Sequence, residues 1–110
     1  MLMLPDMKVY LATVPTDMRK SFDGLAYLVK QEMAKDVFRG ELFVFFNRSG
    51  NRVKVLYWDR NGYCLWAKRL EKGTFRRPKV HGKVAPMRLN ELSLLLEGID
   101  LTDRQRLTSV

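Results

Sequence analysis

The chain of 110 residues has the length of one domain, and with 46% hydrophobic residues it can bury a core. Its net charge of +8 at pH 7 makes a polyanion the natural partner, while one cysteine and one histidine exclude an internal disulfide and any Cys- or His-built metal cluster, so no cofactor is expected. No run nears the roughly 20 apolar residues of a membrane span, and the opening MLMLPDMK lacks the basic n-region and long apolar run of a signal peptide, so a cytoplasmic protein with no membrane partner is expected.

Lys8 to Thr13, KVYLAT, reads as a short strand that ends before Pro15. Thr16 is a candidate helix cap, and Asp17 suits the positive end of the helix that follows. Met18, Phe22, Leu25, Leu28, Val29 and Met33 then recur on one helical stripe that ends near Ala34. Gly24 within it costs about 1 kcal/mol against alanine. It implies either close packing on the sheet or a regular helix that starts nearer Ser21. Residues 35–40 form a connector.

The stretch from Glu41 to Leu70, ELFVFFNRSGNRVKVLYWDRNGYCLWAKRL, organises the rest. Leu42 to Phe46 is wholly apolar, Asn47 to Asn51 is built of turn formers, and Arg52 to Trp58 alternates basic or polar with apolar residues. Asn61-Gly62 is a strong hairpin signal, after which Tyr63 to Leu70 returns as a third strand. A two-residue turn centred on Asn61-Gly62 pairs Arg60 with Tyr63. Trp58 then faces Leu65, Tyr57 faces Trp66, Val55 faces Lys68 and Lys54 faces Arg69. Alternation puts Val53, Val55, Tyr57, Cys64, Trp66 and Leu70 on one face with Lys68, the expected core face. Cys64 there is expected to be a buried small apolar residue. The opposite face carries Arg52, Lys54, Leu56, Trp58, Arg60, Tyr63, Leu65 and Arg69. The turn at Asn47–Asn51 leaves open whether Phe43 and Phe45, or their neighbours, point to the core.

Glu71 to Lys83 is rich in Lys, Arg, Gly and Pro and reads as an exposed basic loop, with His81 solvated. Val84 to Met87 could add an edge strand. Leu89, Leu92, Leu94, Leu95 and Leu96 fit a short helix stopped by Gly98. Residues 101–110 are polar and expected to fray. The expectation is a single α+β domain over residues 1–110. Its small antiparallel sheet would comprise a three-stranded meander and a short N-terminal strand, packed with one main helix and a short C-terminal helix.

The charge is concentrated. Residues 41–83 hold eleven cations against three anions, whereas residues 1–40 are net +1 and residues 84–110 net −1. A localised cationic surface points to nucleic acid more strongly than a high pI does. Arg48, Arg52, Lys54, Lys68, Arg69, Arg76 and Arg77 are therefore the candidate phosphate contacts, with Trp58 and Tyr63 as base-stacking candidates. Against an enzyme, Asp17, Asp23 and Asp59 make a poor acidic trio. Asp17 and Asp23 fall on opposite sides of a regular helix, and no Ser/His/Asp set or Gly-rich phosphate loop is present.

Asp17-Met18-Arg19-Lys20-Ser21-Phe22-Asp23-Gly24-Leu25 resembles the opening signature of the TnpB-type accessory protein of the insertion-sequence-sixty-six family of bacterial transposons. This is the small second-frame protein, unrelated to the RNA-guided nuclease that shares its letter name. Leu42-Phe43-Val44-Phe45, Arg52-Val53-Lys54-Val55-Leu56 and Trp58-Asp59 are similar to its middle block. Gly62 to Phe75, GYCLWAKRLEKGTF, and Leu95-Leu96-Glu97-Gly98-Ile99-Asp100 are similar to the later ones. The chain departs at Arg77, where the family often has Trp before Pro78, and at Leu89, where a Pro-led helix start is common. The resemblance implies a non-catalytic accessory factor for transposition, with element DNA and a separate transposase as partners and no catalytic residues to carry over. The alternative it leaves is a module that docks on the transposase, through the apolar face of the last helix and the acidic ends of the chain, without binding DNA.

Overall fold

The structure, a computed structural model, describes residues 6–98; the tail expected to fray, 101–110, lies outside them. The elements run β1 (Val9–Ala12), α1 (Phe22–Gln31), a 3-10 turn (Val37–Arg39), β2 (Leu42–Phe46), β3 (Arg52–Asp59), β4 (Gly62–Arg69), β5 (Val84–Met87) and α2 (Leu89–Leu96). They build an α+β fold around one five-stranded sheet in the order β4-β3-β2-β1-β5. The meander, the N-terminal strand, the added edge strand and both helices stand as the residue pattern implied. β1 pairs parallel with β2, the other neighbours antiparallel. A parallel pair needs a crossover, and α1 with the 3-10 turn supplies it.

The unbroken apolar run of β2 is explained by its place at the centre of the sheet, where helices cover both faces. Leu42, Val44 and Phe46 pack with Val9, Leu11, Val53 and Val55 under Leu92 and Leu95 of α2. Phe43 and Phe45 point the other way, to Leu25, Val29 and Met33 of α1, with Val37 and Leu56. Of the apolar stripe, Leu25, Val29 and Met33 are thus buried, Met18 and Leu28 are half-buried, and Phe22, the first residue of α1, is exposed.

Four expectations are corrected. First, the hairpin turns on Arg60-Asn61, not on Asn61-Gly62. Gly62 already pairs with Asp59, Trp58 faces Tyr63, Tyr57 faces Cys64, Val55 faces Trp66, and Arg52 rather than Lys54 faces Arg69. The register slides by two residues, so the period-2 alternation keeps every side chain on its expected face. The observed register matches Val55 with Trp66 and Leu56 with Leu65; the expected one set Val55 against Lys68. Second, the cation-and-aromatic face is not open along its length, because α1 lies over Leu56 and Leu65. Third, Thr16 does not cap α1. It is buried with its N–H donated to the Phe46 carbonyl (2.8 Å), and Ser21 takes the cap position. Fourth, Cys64 is half-buried, because β4 is an edge strand.

Candidate nucleic-acid interface

The turn between β2 and β3 positions one end of the basic surface. Asn47 holds it from inside: its Oδ1 accepts from the Arg52 N–H (3.0 Å) and its Nδ2 donates to Asn51 Oδ1 (2.7 Å). Gly50 takes φ +75°, and its carbonyl accepts from the Phe75 N–H (2.8 Å), which ties the basic loop to the turn. This fixes Arg52 at the strand start and leaves Arg48 exposed on the turn, with Arg76 exposed on the tied loop.

Arg52 and Arg69 are direct cross-strand partners, a like-charge pair that normally destabilises a sheet. Arg69 reaches Glu71 (3.2 Å), but both side chains are well exposed, and such a pair contributes little. Among the described residues no carboxylate pairs with Arg52. The two arginines stand at a shallow cleft of about 430 Å³ whose lining includes Lys54, Lys68, Met18 and Glu71.

The other candidates already hold the fold. Lys54 Nζ donates to the carbonyls of Met18 and Lys20, each at 2.7 Å, and so pins the loop that enters α1. Lys68 Nζ donates to the Leu96 carbonyl (2.8 Å) at the C-terminus of α2, where a cation suits the helix dipole. Arg77 lies over the Phe46 ring (5.8 Å to its centroid), with Nη1 donating to the Asn47 carbonyl (3.3 Å). Four of the seven candidates, Arg48, Arg52, Arg69 and Arg76, thus keep guanidinium groups at the surface with at most a weak partner.

Trp58 and Tyr63 sit at the opposite end of the ribbon. Their rings meet edge to face at 5.0 Å, and Phe38 packs on Trp58 at 4.9 Å. Residue-pattern reasoning passed over Phe38, 60% exposed in the 3-10 turn, and Tyr27, 62% exposed on α1. The available signal was Val37-Phe38 inside an otherwise polar connector. Here cations alternate with acids: Tyr27, Phe38 and Tyr63 line a hollow with Lys30 and Lys35 but also Asp23 and Asp36.

The segment from Asp17 to Leu25 proves to be one structural unit. Asp17 accepts from the Arg19 N–H (2.9 Å) and pairs with its guanidinium (2.6 Å), and that hydrogen-bonded guanidinium lowers the Asp17 carboxyl from its ordinary 3.8 to about 2. Gly24 leaves room for Lys20, whose Cβ would stand 3.2 Å from a Cβ at that position. Asp17 is thus an ion-pair partner, Asp23 lies in the first turn of α1 and Asp59 closes the hairpin. Among the described residues no group of three His, Cys, Asp or Glu could hold a metal ion.

The family described as IS66 Orf2 like protein matches residues 7–106. The chain belongs to that family. It is 42% identical over 101 residues to the uncharacterized protein y4hO of Sinorhizobium fredii (strain NBRC 101917 / NGR234), covering 89% of this chain and 88% of that one. To the uncharacterized protein y4jC of the same organism it is 36% identical over 100 residues, covering 91% and 86%. No solved structure matches. An IS66 Orf2-like protein is an accessory product of an insertion sequence, and the family is not known as one of enzymes. No helix among the described residues is long and apolar enough to cross a membrane.

Proposed function

We propose that this IS66 Orf2-like protein is a cytoplasmic, non-catalytic accessory factor that binds the DNA of its element, mainly through phosphate contacts made at the Arg52–Arg69 end of the sheet. One observation carries the reading. Two directly opposed arginines share an open cleft, with exposed Arg48 and Arg76 on the adjoining turn and loop, and among the described residues only Glu71 offsets them. A sheet tolerates such a pair more readily when an anion lies between the guanidinium groups, and arginine forks match phosphate oxygens. Lys54, Lys68 and Arg77 would act behind this surface by holding the loop, helix and turn that frame it.

Titration of pure protein against labelled element ends and unrelated duplex over a range of salt tests the reading. Binding should weaken steeply with salt and differ little between sequences, since phosphate contacts position a protein without reading bases. No binding at low salt would overturn it. With magnesium or manganese the protein should not nick supercoiled DNA; cleavage abolished by Asp17→Ala or Asp59→Ala would make it a nuclease.

The competing reading, docking on the transposase without DNA, loses one of the two surfaces expected for it, because Leu92 and Leu95 of α2 are buried against the sheet, and keeps the acidic ends of the chain. A complex with the transposase that survives high salt, from a protein with no affinity for DNA, would restore it.

A further inference from the structure

The two edges of the sheet are unlike. β5 is four residues long, carries Pro86 and so offers little to another strand. β4 has eight residues and no proline, and among the described residues β3 is its only strand partner. The ladder fixes which of its backbone groups are open. Leu70 donates to the Asn51 carbonyl (2.8 Å) in the same register that pairs Trp66 with Val55 and Cys64 with Tyr57. The even-numbered residues therefore bond to β3, and Tyr63, Leu65, Ala67 and Arg69 turn their N–H and C=O groups outward.

We propose that a second copy of this chain adds to β4, antiparallel and about a two-fold axis through Leu65, to form one continuous sheet. The strand is self-complementary in that arrangement. Leu65 meets Leu65, Tyr63 meets the second copy's Ala67, and Arg69 falls opposite the second copy's Asn61, so no like charges are opposed. A two-fold axis normal to the sheet keeps each residue on its own face, which restricts pairing to residues of the same parity; all three pairs obey this. The aromatic surface favours it as well. Arg69 of one copy arrives on the face that holds the other's exposed Tyr27 and Phe38, in a hollow where Asp23 and Asp36 are balanced by Lys30 and Lys35. The cationic end of each copy thereby approaches the aromatic end of the other.

The test is sedimentation equilibrium of the nuclease-treated chain, with amide hydrogen exchange read residue by residue. The expected species has twice the chain mass of 12.9 kDa. Salt should tighten the association, because it screens the repulsion between two chains of net charge +8. Amides of Tyr63, Leu65, Ala67 and Arg69 should become protected as concentration rises, while Cys64 and Trp66 stay protected throughout. Ala67→Pro removes an outward N–H and no internal ladder bond, and should weaken association by about tenfold or more. Tyr27→Lys, at an exposed position clear of the core, removes the ring and sets a cation against the arriving Arg69, so it should weaken association too, and the test survives a proline variant that fails to fold. A monomer at every concentration and salt, with the outward amides exchanging freely, overturns the proposal and leaves the edge to a strand from another protein. So does a dimer indifferent to both variants.

Discussion

Lys54 shows how far a side chain's environment can depart from its place in a pattern. Its alternation with apolar residues made it a phosphate contact, but its amine is held by two carbonyls of the loop before α1. Lys54→Ala should lower stability in urea by about 1–3 kcal/mol, the range for a lost charge-assisted bond that leaves carbonyls unmatched. Arg52→Ala should leave stability unchanged or slightly raised, because it relieves the opposition to Arg69. The clamp between Asp17 and Arg19 has its own signature. A carboxyl lowered to about 2 from 3.8 favours the folded state above pH 3.8, and that contribution is lost as pH falls towards 2. The Asp17 carboxyl resonance should therefore titrate near 2, and Arg19→Ala should return it towards 3.8. Titration at the ordinary value in the parent protein would mean that the clamp does not form in solution.

Among the elements, those with strong periodicity were legible. The α1 stripe, the apolar run of β2, the alternation of β3 and the leucines of α2 each report burial directly. What the pattern could not give was set by contacts distant in sequence. The hairpin register follows from matching Val55 with Trp66 and Leu56 with Leu65 across faces that both lie under helices, so it overrode the local preference of Asn61-Gly62. Leu56 and Leu65 stand among cations and aromatics, which hid the fact that α1 covers them. The candidate basic site was half legible: its end of the ribbon followed from composition, but the carbonyls that occupy Lys54 and Lys68 lie 28 to 36 residues away. Arg77 lays its guanidinium over Phe46 and beside Gly50. A Cβ on Gly50 would come within 2.8 Å of that guanidinium, at a φ of +75° that disfavours any side chain. Gly50→Ala should cost more than the roughly 1 kcal/mol of an unstrained backbone change, read as a fall in the denaturation midpoint. An unchanged midpoint would show that the turn and its arginine relax together.

At the scale of the molecule, charge and aromatic surface lie at opposite ends of the β3–β4 ribbon. Arg52 and Arg69 stand at one end, Trp58 and Tyr63 at the other, about 20 Å apart at strand spacing. A polyanion should engage the first end, and the slope of log affinity against log salt measures how many phosphates it engages there. Arg52→Ala and Arg69→Ala should each weaken binding to every duplex alike and flatten that slope by about one contact. Lys68→Ala is the informative control. Its amine sits on the Leu96 carbonyl, so its loss should loosen α2 and leave the salt slope nearly intact. Glu71→Gln should act in the opposite sense to the arginine changes. It removes the one carboxylate among the described residues that pairs with Arg69, so affinity for DNA should rise while the strand pairing stays as it is. If the arginine variants keep the parent slope and Glu71→Gln changes nothing, the cleft is not where phosphate binds. Arg48 and Arg76, on the turn and loop beside it, would then be the residues to change.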